Sequence, residues 1–187
     1  MATSNDIKKG LCIEFSNDIY KVIEFQHVKP GKGPAFVRTK LKSVTNGKVV
    51  DNTFSAGHKI DEVKVITRKF QYLYEDDNGF HFMNNDDFSQ IYLDKEMIEN
   101  SQFMKAGEEV TIILKEADEV PLSAEIPPTV YLEVVEADPG VKGNTATNAL
   151  KNAIVETGAR VMVPLFIEPG DKIKVNTEDG SYLERVK

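Results

Sequence analysis

The sequence predicts an all-β chain folded as three small barrels, and three observations carry that prediction. Short segments rich in β-branched and aromatic residues recur along the 187 residues. Tight-turn dipeptides separate several of them: Asn46-Gly47, Asn78-Gly79 and Asp179-Gly180. The charge balance reverses near Lys64, and Ile126-Pro127-Pro128-Thr129 forms a stiff joint short of backbone donors. Those two breaks give modules at 1–64, 65–127 and 128–187.

The elements follow in order. In the first module, strands are expected at Tyr20–Val28 and Ala35–Val44. In the second they are expected at Val63–Tyr74, Gly79–Met83 and Glu109–Lys115. In the third they are expected at Thr129–Val135, Arg160–Val163 and Lys172–Asn176. Gly with Asn or Asp reaches the positive φ that tight hairpins demand. Pro30-Gly31, Pro139-Gly140 and Pro169-Gly170 mark further loops. One segment, Asp94–Ala106, reads as a helix that ends before Gly107.

Composition bounds the function classes. Hydrophobic residues make up 41% and charged residues 28%, ordinary values for a globular chain. No apolar run approaches the roughly 20 residues that cross a bilayer. The opening Met1-Ala2-Thr3-Ser4-Asn5-Asp6 lacks the basic and apolar regions of a signal peptide. With Cys12 as the sole cysteine, no intramolecular disulfide can form, which suits a reducing compartment. The expectation is a cytoplasmic protein without membrane contact. The net charge of −7 argues against nucleic-acid binding until it is partitioned. Residues 1–64 hold 11 Lys+Arg against 7 Asp+Glu, residues 65–127 hold 5 against 14, and residues 128–187 hold 7 against 9. A basic head on an acidic body can bind RNA at one end while the middle stays clear of phosphate.

The most informative segment is Lys29-Pro30-Gly31-Lys32-Gly33-Pro34-Ala35-Phe36, set between two expected strands as a hairpin tip. Proline stiffens both shoulders, and glycine on either side of Lys32 removes side-chain bulk. The result is a narrow tip bearing one long cation. A phosphate-binding P-loop is excluded, because Gly33 and Pro34 follow Lys32 and a strand lies beyond. Two readings stay open at this level. One is a plain solvated hairpin; the other is a probe lysine for RNA, with Lys29, Arg38, Lys40 and Lys42 as phosphate contacts.

Other chemistry is thin. His27, His58 and His81 are scattered, and Cys12 has no companion thiol, so no metal site or cofactor is expected. Glu75-Asp76-Asp77-Asn78-Gly79 lacks the ligand alternation of a calcium loop and reads as a polar hairpin turn. Asp86-Asp87, taken as strand residues, would face opposite sides. No nucleophile elbow is present, so the sequence offers no catalytic centre.

The Pro30–Phe36 tip resembles the lysine-bearing loop of bacterial elongation factor P. A longer match lies downstream. Asp138-Pro139-Gly140-Val141-Lys142-Gly143-Asn144-Thr145-Ala146 is similar to that family's third-domain loop. Thr157-Gly158-Ala159, Val163-Pro164-Leu165-Phe166-Ile167, Gly170 to Thr177 and Gly180 to Val186 continue the likeness in order. The resemblance implies a KOW-like N-terminal barrel and two OB-type barrels in an L, like tRNA. It implies a monomeric factor that binds the 70S ribosome between the P and E sites. There it would relieve stalling at consecutive prolines, with a modified Lys32 near the CCA end of P-site peptidyl-tRNA. It also implies a lysine-modifying enzyme that acts on Lys32. Gly143, Asn144 and Thr145 match the loop that meets the tRNA elbow, while Tyr182 and Arg185 match contacts with the small subunit.

Two departures bear on this. Asn144 stands where the family often has Asp, and an amide donates as well as accepts. Pro34 occupies a variable position, and Lys rather than Arg at the tip fits lysylation or another amine extension, not rhamnosylation. Two other functions compete. A general KOW/OB RNA-binding module would need exposed stacking platforms, and Phe36, Tyr72, Tyr74 and Phe80 read rather as core. An enzyme using Lys32 as nucleophile would need that amine desolvated, which a glycine-flanked tip opposes.

Overall fold

The computed structural model describes residues 2–140 and 149–186. Sixteen strands are found among them. The first six are β1 (Ala2–Thr3), β2 (Cys12–Phe15), β3 (Asp18–Val28), β4 (Phe36–Ser43), β5 (Val49–Ser55) and β6 (Lys59–Glu62). They form a sheet ordered β1-β6-β2-β3-β4-β5. The next five are β7 (Val65–Asp76), β8 (Gly79–Asn84), β9 (Gln90–Leu93), β10 (Glu109–Lys115) and β11 (Pro121–Glu125), ordered β11-β10-β7-β8-β9. The last five are β12 (Thr129–Ala137), β13 (Leu150–Val155), β14 (Arg160–Pro164), β15 (Lys172–Asn176) and β16 (Tyr182–Val186), ordered β14-β13-β12-β15-β16.

By compactness the chain divides into two units. One comprises Met1–Arg68, Leu93–Glu99 and Ile112–Ala124; the other comprises Lys69–Tyr92, Asn100–Thr111 and Glu125–Lys187.

Alternation along β4 shows why the first sheet forms. Val37, Thr39, Leu41 and Ser43 point inward, while Phe36, Arg38, Lys40 and Lys42 take the opposite face. The inward apolar residues join Ile7, Leu11, Ile13, Val22, Phe54 and Ile60 in one core. The inward hydroxyls are satisfied: Thr39 Oγ1 donates to the Asn52 carbonyl at 2.9 Å, and Ser43 Oγ to Asp18 Oδ2 at 2.6 Å. The third sheet closes on Val130, Leu132, Val134, Val155, Val161, Val163, Ile173 and Val175, with Phe103 packed among them.

All eight expected strands are present; β10 and β15 agree end to end, and no other end differs by more than two residues. The turn at Glu75–Gly79 is the expected polar hairpin, joining β7 to β8, with the Asn78 N–H donating to Asp76 Oδ1 at 2.8 Å. Two readings need correction. Asp94–Ala106 is not a helix but two single 3₁₀ turns, Lys95–Met97 and Ser101–Phe103. Asn100 sits between them at φ +59°, a left-handed conformation that ends any helix, and its side-chain amide donates to the Glu178 carbonyl. Asp86-Asp87 lies not on a strand but in the β8–β9 turn. There the Asp86 N–H donates to Asn84 Oδ1, and Asp87 Oδ1 accepts from the Ser89 N–H and hydroxyl.

Candidate nucleic-acid interface

The β3–β4 hairpin presents Lys32. Its strands pair antiparallel from Tyr20↔Ser43 to Val28↔Phe36, with a bulge between Val22 and Glu24. Beyond the Val28–Phe36 pair the chain leaves the ladder, and Lys29 to Pro34 are all exposed. Gly33 has φ +108°, a conformation in which an L side chain is strained, whereas Gly31 shows no such need. The glycine after the lysine is therefore required by the backbone. Lys29 and Lys32 carry no ion pair with any described residue. Among the described residues the tip cation is unpaired.

The remaining nominated cations sit differently. Arg38, Lys40 and Lys42 share the outer face of β4, two residues apart. The Lys40 ammonium lies 3.3 Å from Glu24, its cross-strand partner, and that of Lys42 lies 3.3 Å from Glu99. Arg38 has no carboxylate partner among the described residues; its guanidinium stands 5.4 Å from the Phe36 ring centre. An open depression on this hairpin is lined by Glu24, Gln26, Arg38, Lys40, Asp51 and Thr53 among others, so its charge is mixed. Of the four nominated phosphate contacts, Lys29 and Arg38 are uncommitted, while Lys40 and Lys42 must leave carboxylates to serve.

At the C-terminus, Tyr182 pairs with Val175 and packs against the third core, so it is half-buried. Arg185 is exposed, 3.7 Å from Asp171 Oδ2 and 5.4 Å from the centre of the exposed Phe166 ring. Gly143, Asn144 and Thr145 lie outside the described residues.

Four aromatics were expected in cores. Tyr72 and Phe80 are buried, but Tyr74 is 51% exposed and Phe36 lies half-buried on the outer face of β4. A bulge between Tyr72 and Tyr74 turns Tyr74 outward, opposite His81. Composition gives no signal for such a bulge. Cys12 is buried, and burial pushes its thiol pKa up, which makes it inert. Lys151, which no sequence pattern singles out, has a side chain only 4% exposed that pairs with Glu168 at 3.2 Å.

Comparison with known proteins gives consistent matches in chain order. The KOW-like domain of elongation factor P matches residues 3–60, its OB domain residues 65–123, and its C-terminal domain residues 130–185. The chain is 61% identical over 187 residues to an elongation factor P of Flavobacterium psychrophilum, covering all of both chains. It is 50% identical to elongation factor P 1 of Porphyromonas gingivalis, again over all of both. It is 45% identical to the elongation factor P of Moorella thermoacetica, covering 99% of this chain and 100% of that one. Among solved structures, an initiation factor 5A from Methanococcus jannaschii is similar in fold, with TM-score 0.51 and 18% identity. That likeness covers 67% of this chain and 90% of the other.

Proposed function

This chain belongs to the elongation factor P family of translation factors and is not an enzyme; from that premise we propose that it acts on the ribosome by presenting Lys32 to peptidyl-tRNA. The factor binds in the cytoplasm as a monomer between the P and E sites of the 70S ribosome. It speeds peptide-bond formation at consecutive prolines. The modules at 1–64, 65–127 and 128–187 divide this work. The first reaches the CCA end, and the third meets the tRNA elbow through Gly143, Asn144 and Thr145 and the small subunit through Tyr182 and Arg185.

One observation carries the reading: Lys32 is exposed, with no ion pair among the described residues, at a hairpin tip whose following residue, Gly33, has φ +108°. A cation with no internal partner contributes little to folding, so its placement calls for an external one. Proline is a poorly disposed partner in peptide transfer because its ring restricts the chain. Holding peptidyl-tRNA in a reactive pose lowers the entropic part of the barrier without joining the bond chemistry. An enzyme that lengthens Lys32 would extend the reach of this tip. Lys29 and Arg38 then contact phosphates first, and Lys40 and Lys42 contribute after exchanging Glu24 and Glu99 for RNA.

The test is reconstituted translation of a template with three consecutive proline codons beside a proline-free control. Protein from its native source is used, so that any modification of Lys32 is kept. Selective acceleration of the proline template is expected. Equal rates on both, with the modification verified by mass, would overturn the proposal in favour of a general RNA-binding module.

A further inference from the structure

The central sheet carries an aromatic surface that the Lys32 mechanism does not use. Tyr74 on β7, His81 on β8 and Tyr92 on β9 stand on three neighbouring strands. The Tyr74 and His81 rings are stacked, 4.6 Å between centroids at 18°, and Tyr92 follows at 6.2 Å from His81. Cross-strand stacking accounts for the half-buried imidazole. It leaves Tyr74 51% and Tyr92 60% exposed. Asp76 Oδ1 lies 3.0 Å from Nε2 of His81, the middle ring of the row. His81 and then the Asn78 N–H hold the Asp76 carboxyl below its usual range, so it is ionised at neutral pH.

Charge selects the occupant. Residues 65–127 carry 14 acidic against 5 basic side chains. The cations are already engaged: Arg68 with Glu119, Lys69 with Glu109, Lys105 with Glu156, Lys115 with Asp118, and Lys95 also interacts. The surplus is therefore negative, which repels a phosphate backbone and an anionic lipid surface alike. Open tyrosine faces beside a carboxylate suit guanidinium, which stacks flat on a ring while it pairs with oxygen.

We propose that Tyr74, His81, Tyr92 and Asp76 form a docking surface for an arginine-rich protein segment. The surface is distinct from the Lys32 tip and does not depend on its role. Arginine outcompetes lysine here, because ammonium keeps its hydration and cannot stack as a plane.

The test uses the full chain, isotope-labelled in its aromatic rings, at 150 mM salt. Three probes are titrated: the peptide Gly-Arg-Arg-Gly-Arg-Arg-Gly, its lysine counterpart, and a uridine hexanucleotide. The expected result is that the arginine peptide shifts the Tyr74, His81 and Tyr92 ring signals. It should also bind at least threefold more tightly than the lysine peptide. Tyr92→Ala, on the edge strand β9, should weaken arginine-peptide binding at least fivefold without changing net charge. Tyr74→Leu provides a second variant that keeps an apolar side chain should Tyr92→Ala fail to fold. Equal binding by the folded variant, or equal affinity for both peptides, would reduce the effect to net charge and overturn the proposal. Ring shifts produced by the hexanucleotide and not by the peptides would overturn it in favour of RNA stacking.

Discussion

Lys32 and Lys151 carry the same charge in opposite settings. Lys32 stands exposed on a loop with no ion pair to any described residue. Lys151 points inward from β13, 4% exposed, and its ammonium meets Glu168 at 3.2 Å. A buried ammonium is costly unless paired, so Lys151 is tied to the fold and its substitution will be read as stability. A hydrated ammonium adds almost nothing to folding, so substitution of Lys32 will be read as activity. The difference teaches how to separate the two kinds of lysine: a cation with no ion pair among the described residues, such as Lys32, can be removed with little cost to the fold, whereas Lys151 cannot.

The sharpest way to break the comparison is to orphan the buried charge. Glu168→Ala leaves the Lys151 ammonium unpaired and should lower stability by about 2 kcal/mol, less than for a fully buried pair because Glu168 is itself 70% exposed. Thermal unfolding should register this as a midpoint about 5 °C lower. An unchanged midpoint would mean that Lys151 is as solvated as Lys32.

Backbone strain offers a second comparison, between two glycines. Gly180, at φ +72°, has Phe103 Cζ only 2.9 Å from where a Cβ would lie. Gly180→Ala should cost roughly 1–2 kcal/mol in urea unfolding, from left-handed strain plus displacement of a core ring. Gly33→Ala meets nothing closer than Pro30 Cγ at 3.9 Å. It should cost about 1 kcal/mol or less, because the tip can rearrange, while proline rescue falls. A larger loss of stability at Gly33 than at Gly180 would reverse the roles assigned to these two turns.

The smallest expected effect concerns acid. Glu156 is partly buried, which raises its pKa, but the Lys105 ammonium, the Glu133 N–H and the charge of Lys172 together outweigh burial and hold it low. A carboxyl depressed on folding contributes stability above its unfolded pKa, ordinarily about 4.5, and loses it as pH falls through the folded value. Glu156→Gln should therefore flatten the acid limb of a stability–pH curve by well under ~1 kcal/mol, as for other part-exposed pairs. An unaltered acid limb would remove Glu156 from the acid response.

Much of this was legible in the sequence, for physical reasons that differ by element. Asn78-Gly79 and Asp179-Gly180 announce their hairpins because Gly79 and Gly180 take positive φ, which glycine reaches without strain. β4 shows itself by strict alternation. β13 did not, because its alternation is inverted at the start: Leu150 faces solvent and Lys151 faces the core. β11 opens on a proline, which suits an edge strand but reads as a break. The Lys32 tip was readable from its glycines and prolines alone. The engagement of Lys40 by Glu24 and of Lys42 by Glu99 was not, since register and tertiary packing bring those carboxylates in from distant positions. The outward turn of Tyr74 depends on a bulge that no residue type signals.

The role of Lys32 is tested most directly by two readings on one variant. Lys32→Ala is assayed for acceleration of the three-proline template and, in parallel, for its thermal midpoint. Proline-specific acceleration should fall at least tenfold while the midpoint stays within about 1 °C, as for loss of an exposed cation with no ion pair among the described residues. Retained acceleration, or a fall of several degrees, would contradict this role and make Lys32 either dispensable or a structural lysine like Lys151.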